Sequence, residues 1–193
     1  MNAAPVFDRV YGGLKQMLRE GRRSPGARLD PAALADELAA SITPVRDALY
    51  RLTGERMVDA AGEGFQVPLL TEPDLRDLYA WNLQLLLAAP RLVDLPVPQT
   101  EETPTSAVAE RAEVLFAAMA RLSGNCEQLA AITALNDRLH AVRIGEEIWF
   151  GDCEEELAAL AQADNRRVLL GRYHRRRIAA VPELLRLRYR ANG

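Results

Sequence analysis

Only two cysteines occur in the 193-residue chain, Cys126 and Cys153. With no signal peptide ahead of them they read as reduced thiols of a cytoplasmic protein, which excludes a disulfide-stapled secreted scaffold. No apolar run reaches the roughly eighteen residues of a membrane span; the longest, over 83–89, is broken by Gln84. Positive charge is not in excess either: 24 Lys and Arg stand against 27 Asp and Glu, a net charge of -3. Any contact with nucleic acid must therefore rest on local basic residues rather than on a global field. Also missing are a glycine-rich phosphate loop, a nucleophile elbow, a recognisable pair of catalytic carboxylates and a metal-ligand cluster. Cys153 sits beside Asp152 and Glu154, Glu155 and Glu156, whose charges disfavour a thiolate. The chain is expected to be no enzyme and to carry no cofactor.

What is present is apolar material, 49% of the residues, enough for two small domains. Val6, Val10, Leu14, Met17 and Leu18 recur at helical spacing and predict a helix over 5–20, weakened locally by Gly12 and Gly13. Ser24, Pro25 and Gly26 make a turn. Asp30 is a natural N-cap with Pro31 at the first helical position, launching a helix through Leu34, Leu38 and Ala39. Ser41 or Thr43 can cap the next helix; Pro44 fits its first turn, and Val45, Leu49 and Leu52 form its buried stripe. Arg46, Asp47, Tyr50 and Arg51 then point elsewhere. Met57-Val58-Asp59 and Phe65-Gln66-Val67 alternate about Gly62-Glu63-Gly64, as a β-hairpin does.

Two short helices joined by a tight turn and followed by a β-wing put one helix into the major groove of DNA. At the start of that helix, backbone N–H groups and the hydroxyls of Ser41 and Thr43 can meet phosphate oxygens, and Arg46 can reach a phosphate or a guanine edge. Taken singly, Ser41 and Thr43 read equally well as caps and Arg46 as a solvated charge; the joint pattern favours DNA.

The segment 25–67 resembles the winged helix-turn-helix of GntR-family transcriptional regulators. Pro25-Gly26, Leu34-Ala35, Ser41, Thr43-Pro44-Val45-Arg46, Ala48-Leu49 and Gly64-Phe65 carry the resemblance. It implies DNA contacts from Arg28, Ser41, Thr43, Pro44, Arg46, Tyr50 and Gly64. It also implies a homodimer on a double-stranded, pseudo-palindromic operator and a role in transcription regulation, repression being favoured. Two positions depart from the family pattern: Ile42 stands where an arginine is usual, and Arg56 where a glycine is usual. Losing a base-reading arginine removes about 1–3 kcal/mol of contact energy, so operator affinity or preference is expected to differ.

The fold class expected is mainly α: a winged helix-turn-helix over 1–69, then an all-helical domain over 70–193. The second part is similar to a shortened effector and dimerisation domain of the family's FadR branch. Thr71-Glu72-Pro73-Asp74 reads as a capped helix start, continued by Leu75, Leu78, Tyr79, Leu83, Leu86 and Leu87 to a stop at Pro90. Residues 95–106, with Pro96, Pro98 and Pro104, read as an exposed connector. Helical spacing returns over 107–122, 126–148, 152–164 and 166–179, with a short helix after Pro182.

Many relatives of this domain hold a divalent metal through an aspartate and a histidine one turn apart and two later histidines. Aligned through Ser123-Gly124-Asn125, the resemblance puts Ala112 and Phe116 at the first two positions and places the third near Glu154, with His174 as fourth. No metal is expected. A small organic effector, a carboxylate among the candidates, is expected to contact Asn82, Phe116, Asn125, Arg172 and His174. His140 reads as a satisfied or surface histidine rather than a ligand. His174, within Arg172-Tyr173-His174-Arg175-Arg176-Arg177, lies either on a basic face in water or in an anion-binding wall with an arginine. Nine arginines over 166–190 stand against the single acid Glu183. They can pair with Glu146, Glu147 and Glu154 to Glu156, touch DNA phosphates, or bind an anionic ligand; pairing is the default. The other reading of the whole chain is a divergent DNA-binding or scaffold dimer that has lost effector control.

Overall fold

The computed structural model describes residues 3–62, 64–89, 108–162 and 165–190. It divides into two units, Met1–Leu70 with Arg188–Gly193, and Thr71–Leu187. The boundary lies one residue beyond the expected 69, and the end of the last helix groups with the first unit. There Arg188 Nη2 donates to the Arg23 carbonyl at 2.9 Å.

The first unit runs α1 (Ala3–Arg19), β1 (Arg28–Leu29), α2 (Pro31–Glu37), α3 (Ile42–Gly54), β2 (Asp59–Ala61) and β3 (Gly64–Gln66). Val10, Leu14, Met17 and Leu18 of α1 are buried against Leu34 and Ala35 of α2 and Val45, Ala48, Leu49 and Leu52 of α3. The Gly12-Gly13 pair does not interrupt α1, and Gly13 has a packing reason: a Cβ there would stand 3.2 Å from Leu38 Cδ2. Asp30 caps α2 by accepting from the Ala32 N–H at 3.1 Å, with Pro31 in the first turn. Arg9 of α1 closes its other end, donating to the carbonyls of Leu38 at 2.7 Å and Ala39 at 3.2 Å.

The wing differs from the expected hairpin. Met57 and Val58 are buried ahead of the strand, which starts at Asp59. A third strand joins it, in the antiparallel order β1-β3-β2, with Arg28 opposite Gln66 and Gln66 opposite Asp59. Glu63, in the turn, lies outside the described residues.

Arg56, where the family pattern has glycine, adopts φ 57°. A left-handed L-residue there costs about 1–2 kcal/mol, a strain that glycine does not have. Part of that cost is offset because glycine makes the unfolded chain freer. Arg56→Gly is expected to stabilise the first unit by about 0.5–1 kcal/mol, read as a raised calorimetric transition temperature; an unchanged or lower transition would show that the conformation is not strained.

The second unit contains α4 (Glu72–Leu87), α5 (Val108–Arg121), α6 (Cys126–Phe150), α7 (Cys153–Gln162), α8 (Arg166–Ala179) and, as far as Leu187, α9 (Val181–Arg190). A capping box opens α4: Thr71 accepts from the Asp74 N–H at 3.3 Å, and the Asp74 carboxylate accepts from the Thr71 N–H at 3.0 Å. Asn125 caps α6 through the N–H groups of Glu127 and Gln128, and α6 ends at Gly151 with φ 71°. Leu86, Phe116, Met119, Ile132, Leu157, Leu160, Leu170 and Tyr173 form its core. The connector expected over 95–106 lies outside the described residues. Among the described residues, no helix is long and apolar enough to cross a membrane.

Candidate functional site

Helix α3 turns Val45, Ala48, Leu49 and Leu52 into the core, which leaves Ile42, Thr43, Arg46, Asp47 and Tyr50 exposed. Ser41 is the N-cap residue, with φ -82° and ψ 161°, yet its side chain makes no capping hydrogen bond. The hydroxyl is thus free to meet a ligand at the helix start. Pro44 lies in the first turn, half-buried. Among the described residues, neither Arg28 nor Arg46 is held by an acidic partner. Arg51, in contrast, is stacked 4.1 Å from the Tyr11 ring centroid and belongs to the packing of α3 on α1. Tyr50 stands edge-on to Phe65 of β3 with ring centroids 4.9 Å apart, tying the helix to the wing. On the wing, Arg28 is exposed on β1 and Gly64 opens β3. The seven residues expected at DNA thus lie on α3, its N-terminal edge and the adjoining sheet.

The second unit has a polar interior. His174 is fully buried; its Nδ1 lies 2.8 Å from the Leu170 carbonyl, which can only accept, so Nδ1 carries the proton. Nε2 must then accept, and the Asn82 amide atom facing it at 2.8 Å, Oδ1 in the structure, has to exchange places with Nδ2. That exchange fits a second observation: Asn82 Nδ2 is buried without a partner as it stands. Phe116 completes this group, 5.9 Å from the His174 ring and 5.2 Å from the Arg143 guanidinium. Arg143 is fully buried and donates to Asn136 Oδ1 at 2.9 Å, but its Nε has no partner. The Glu113 carboxylate, its nearest acid at 4.0 Å, is held at 2.7 Å by His140, which is therefore a satisfied histidine.

A second buried cluster surrounds Glu146. Its carboxylate accepts from Tyr79 at 2.5 Å, Tyr173 at 3.3 Å and Arg177 Nε at 2.8 Å, and Arg177 also donates to Glu156 at 2.6 Å. Burial, then the Glu146 charge, hold Tyr79 well above the usual phenol range, so it stays a donor. Cys153 beside them is pushed up to about 11, chiefly by burial. It is a thiol at neutral pH and no nucleophile.

Comparison with known proteins gives these elements a lineage. Residues 7–67 match the family model "Bacterial regulatory proteins, gntR family". That match places the first unit with the gntR family. The HTH-type transcriptional regulator McbR of Escherichia coli (strain K12) is 37% identical over 92 residues, 47% of this chain and 42% of McbR. The uncharacterized HTH-type transcriptional regulator YdhC of Bacillus subtilis (strain 168) is 25% identical over 141 residues, 72% of this chain and 60% of YdhC. The matched stretches thus span about half the length of these relatives. The solved structure of E. coli McbR/YncC superposes with a TM-score of 0.68 at 22% identity, covering 93% of this chain and 98% of that one. A putative GntR regulator from Rhodococcus sp. RHA1 gives 0.68 at 20%, covering 92% and 97%. At those identities the two structures speak to the fold alone.

Among the effector residues expected from the GntR resemblance, the structure brings Asn82, Phe116 and His174 together and leaves two aside. Asn125 is exposed and serves as the α6 cap, and Arg172 is exposed on α8. The cation that stands against Phe116 is Arg143. Sequence reasoning missed it because an arginine within a helix reads as a surface charge; its signal was the position, one residue after Val142 and four after Leu139 on the buried side of α6. The metal positions do not fit a metal. Ala112 and Phe116 have no donor atom, Glu154 is exposed and pairs with Arg111, and both His174 nitrogens are engaged.

His174 also gives a pH signature. Burial pulls its pKa down to about 3, whereas an unfolded imidazole titrates near 6.5. Below 6.5 the unfolded chain therefore binds a proton that the native one refuses. Its contribution is complete above pH 6.5 and falls by up to about 1.4 kcal/mol per pH unit as pH drops toward 3. Urea midpoints at pH 7, 6 and 5, followed by the fluorescence of Trp81 and Trp149, should fall more steeply in the native sequence than in His174→Gln. Parallel curves would place the histidine in contact with water.

Proposed function

We propose that the chain is a transcriptional regulator that binds double-stranded operator DNA as a homodimer. In this reading the N-terminal end of α3 enters the major groove and the wing holds the flanking backbone. The supporting observation is the exposed face of α3: an uncommitted Ser41 hydroxyl, Thr43 and an unpaired Arg46 project together beside the wing carrying Arg28. Two copies related by a two-fold axis would cover half-sites about 10 base pairs apart, centre to centre. Footprinting on DNA flanking its own coding region should show two such protected half-sites, and displacement of polymerase there would make it a repressor. Protection that spreads with protein concentration and never localises would remove the reading.

The helical unit is the effector domain in this proposal, with Asn82, His174, Phe116 and Arg143 as the recognising group. A buried guanidinium with an unmade hydrogen bond beside a buried amide suits a small polar organic molecule bearing an acceptor oxygen. Its binding would bias the placement of the DNA-binding units and so change operator affinity. The second reading, a DNA-binding dimer without effector control, is favoured by how fully Phe116, Tyr173 and the Glu146 cluster fill the interior. A thermal-shift screen of small metabolites separates the two, since only a bound effector keeps raising the transition with the logarithm of its concentration above its Kd.

A further inference from the structure

We infer that Ile42 is a specificity-determining residue that reads the 5-methyl group of a thymine, one helical turn ahead of Arg46. The inference rests on the DNA-binding reading above and adds which base the start of α3 selects.

Ile42 is the first residue of α3, is 47% exposed and does not join the core of the first unit. On α3 it stands at the border between the buried stripe, with Val45 and Leu49 at i+3 and i+7, and the exposed face, with Arg46 and Tyr50 at i+4 and i+8. An exposed branched aliphatic side chain gains free energy only where a partner takes it out of water. The neighbours argue against a protein partner: the exposed Ser41, Thr43 and Arg46 next to it are polar, so there is no contiguous apolar patch. Within the major groove, the apolar feature that base edges display is the thymine methyl. The four residues from Ile42 to Arg46 rise about 6 Å, roughly two base-pair steps of 3.4 Å. The half-site should therefore carry a thymine about two pairs from the guanine facing Arg46.

The full chain is first used to enrich duplexes from a randomised pool. Each thymine of the enriched half-site is then replaced by deoxyuridine, which deletes only the methyl, and affinity is followed by fluorescence anisotropy. One position should weaken the native chain about fourfold, the worth of one buried methyl. The same replacement should leave Ile42→Ala unaffected, and selection with Ile42→Arg should enrich guanine at that position. Both variants alter an exposed side chain, and an unchanged circular dichroism melt confirms their fold. A methyl effect that persists in Ile42→Ala, or no methyl effect at any thymine, overturns the inference while the DNA-binding reading stands. Failure to enrich any duplex overturns both.

Discussion

Replacing Glu146 by glutamine is expected to cost the helical unit about 3–5 kcal/mol. The carboxylate is 1% exposed and Arg177 is 0% exposed, so each has given up hydration for the other. Glutamine retains an oxygen for Tyr79 but turns an NH2 toward Arg177 Nε or Tyr173, where donor meets donor. The guanidinium is left buried with only part of its compensation, from Glu156. Glu156→Gln should cost far less, because that carboxylate is 17% exposed and water can replace it. Both tryptophans, Trp81 and Trp149, lie in the helical unit, so their fluorescence reports its unfolding alone. At about 2–4 °C per kcal/mol for a chain of this size, Glu146→Gln should lower the transition by on the order of 10 °C. Equal losses for the two variants would show that Arg177 is held by its surroundings rather than by Glu146.

That cluster also marks where the sequence stopped being readable. The helix starts were legible because they are local: Asp30 before Pro31, Thr71 three residues before Asp74, and Asn125 before α6 each satisfy N–H groups within a few residues. Strand β1 was not, since two residues display no alternation and its partner β3 lies far along the chain. The wing was entered too early because Met57 and Val58 are apolar for core packing, not for the strand pattern. For the basic run, charge counting correctly made pairing the default: Arg176 and Arg177 do pair, with Asp152, Glu146 and Glu156. It could not show that Arg177 and His174 are buried while Arg172 is exposed, since that depends on which side of α8 meets α4 and α7. Asn82 and His174 are 92 residues apart, and only the packing of α4 on α8 makes them neighbours.

Arg46→Ala should weaken binding to the selected operator by about 1–3 kcal/mol, roughly 5- to 150-fold, while leaving stability within about 0.5 kcal/mol of the native chain. The stability expectation follows because Arg46 is exposed and holds no partner that its removal would strand. The binding expectation follows from its place one turn into α3, where a guanidinium can meet guanine O6 and N7 with two parallel hydrogen bonds. If it meets a base, the loss appears on the selected operator and shrinks on random duplex. A phosphate contact would instead weaken both alike and lower the slope of log affinity against log salt by about one. Arg28→Ala supplies the contrast, since Arg28 lies on the wing's edge strand and should show the phosphate pattern. Salt titrations of the two variants on both duplexes therefore decide which arginine reads and which merely holds. Identical uniform losses would move sequence recognition away from Arg46 to the remaining exposed residues of α3.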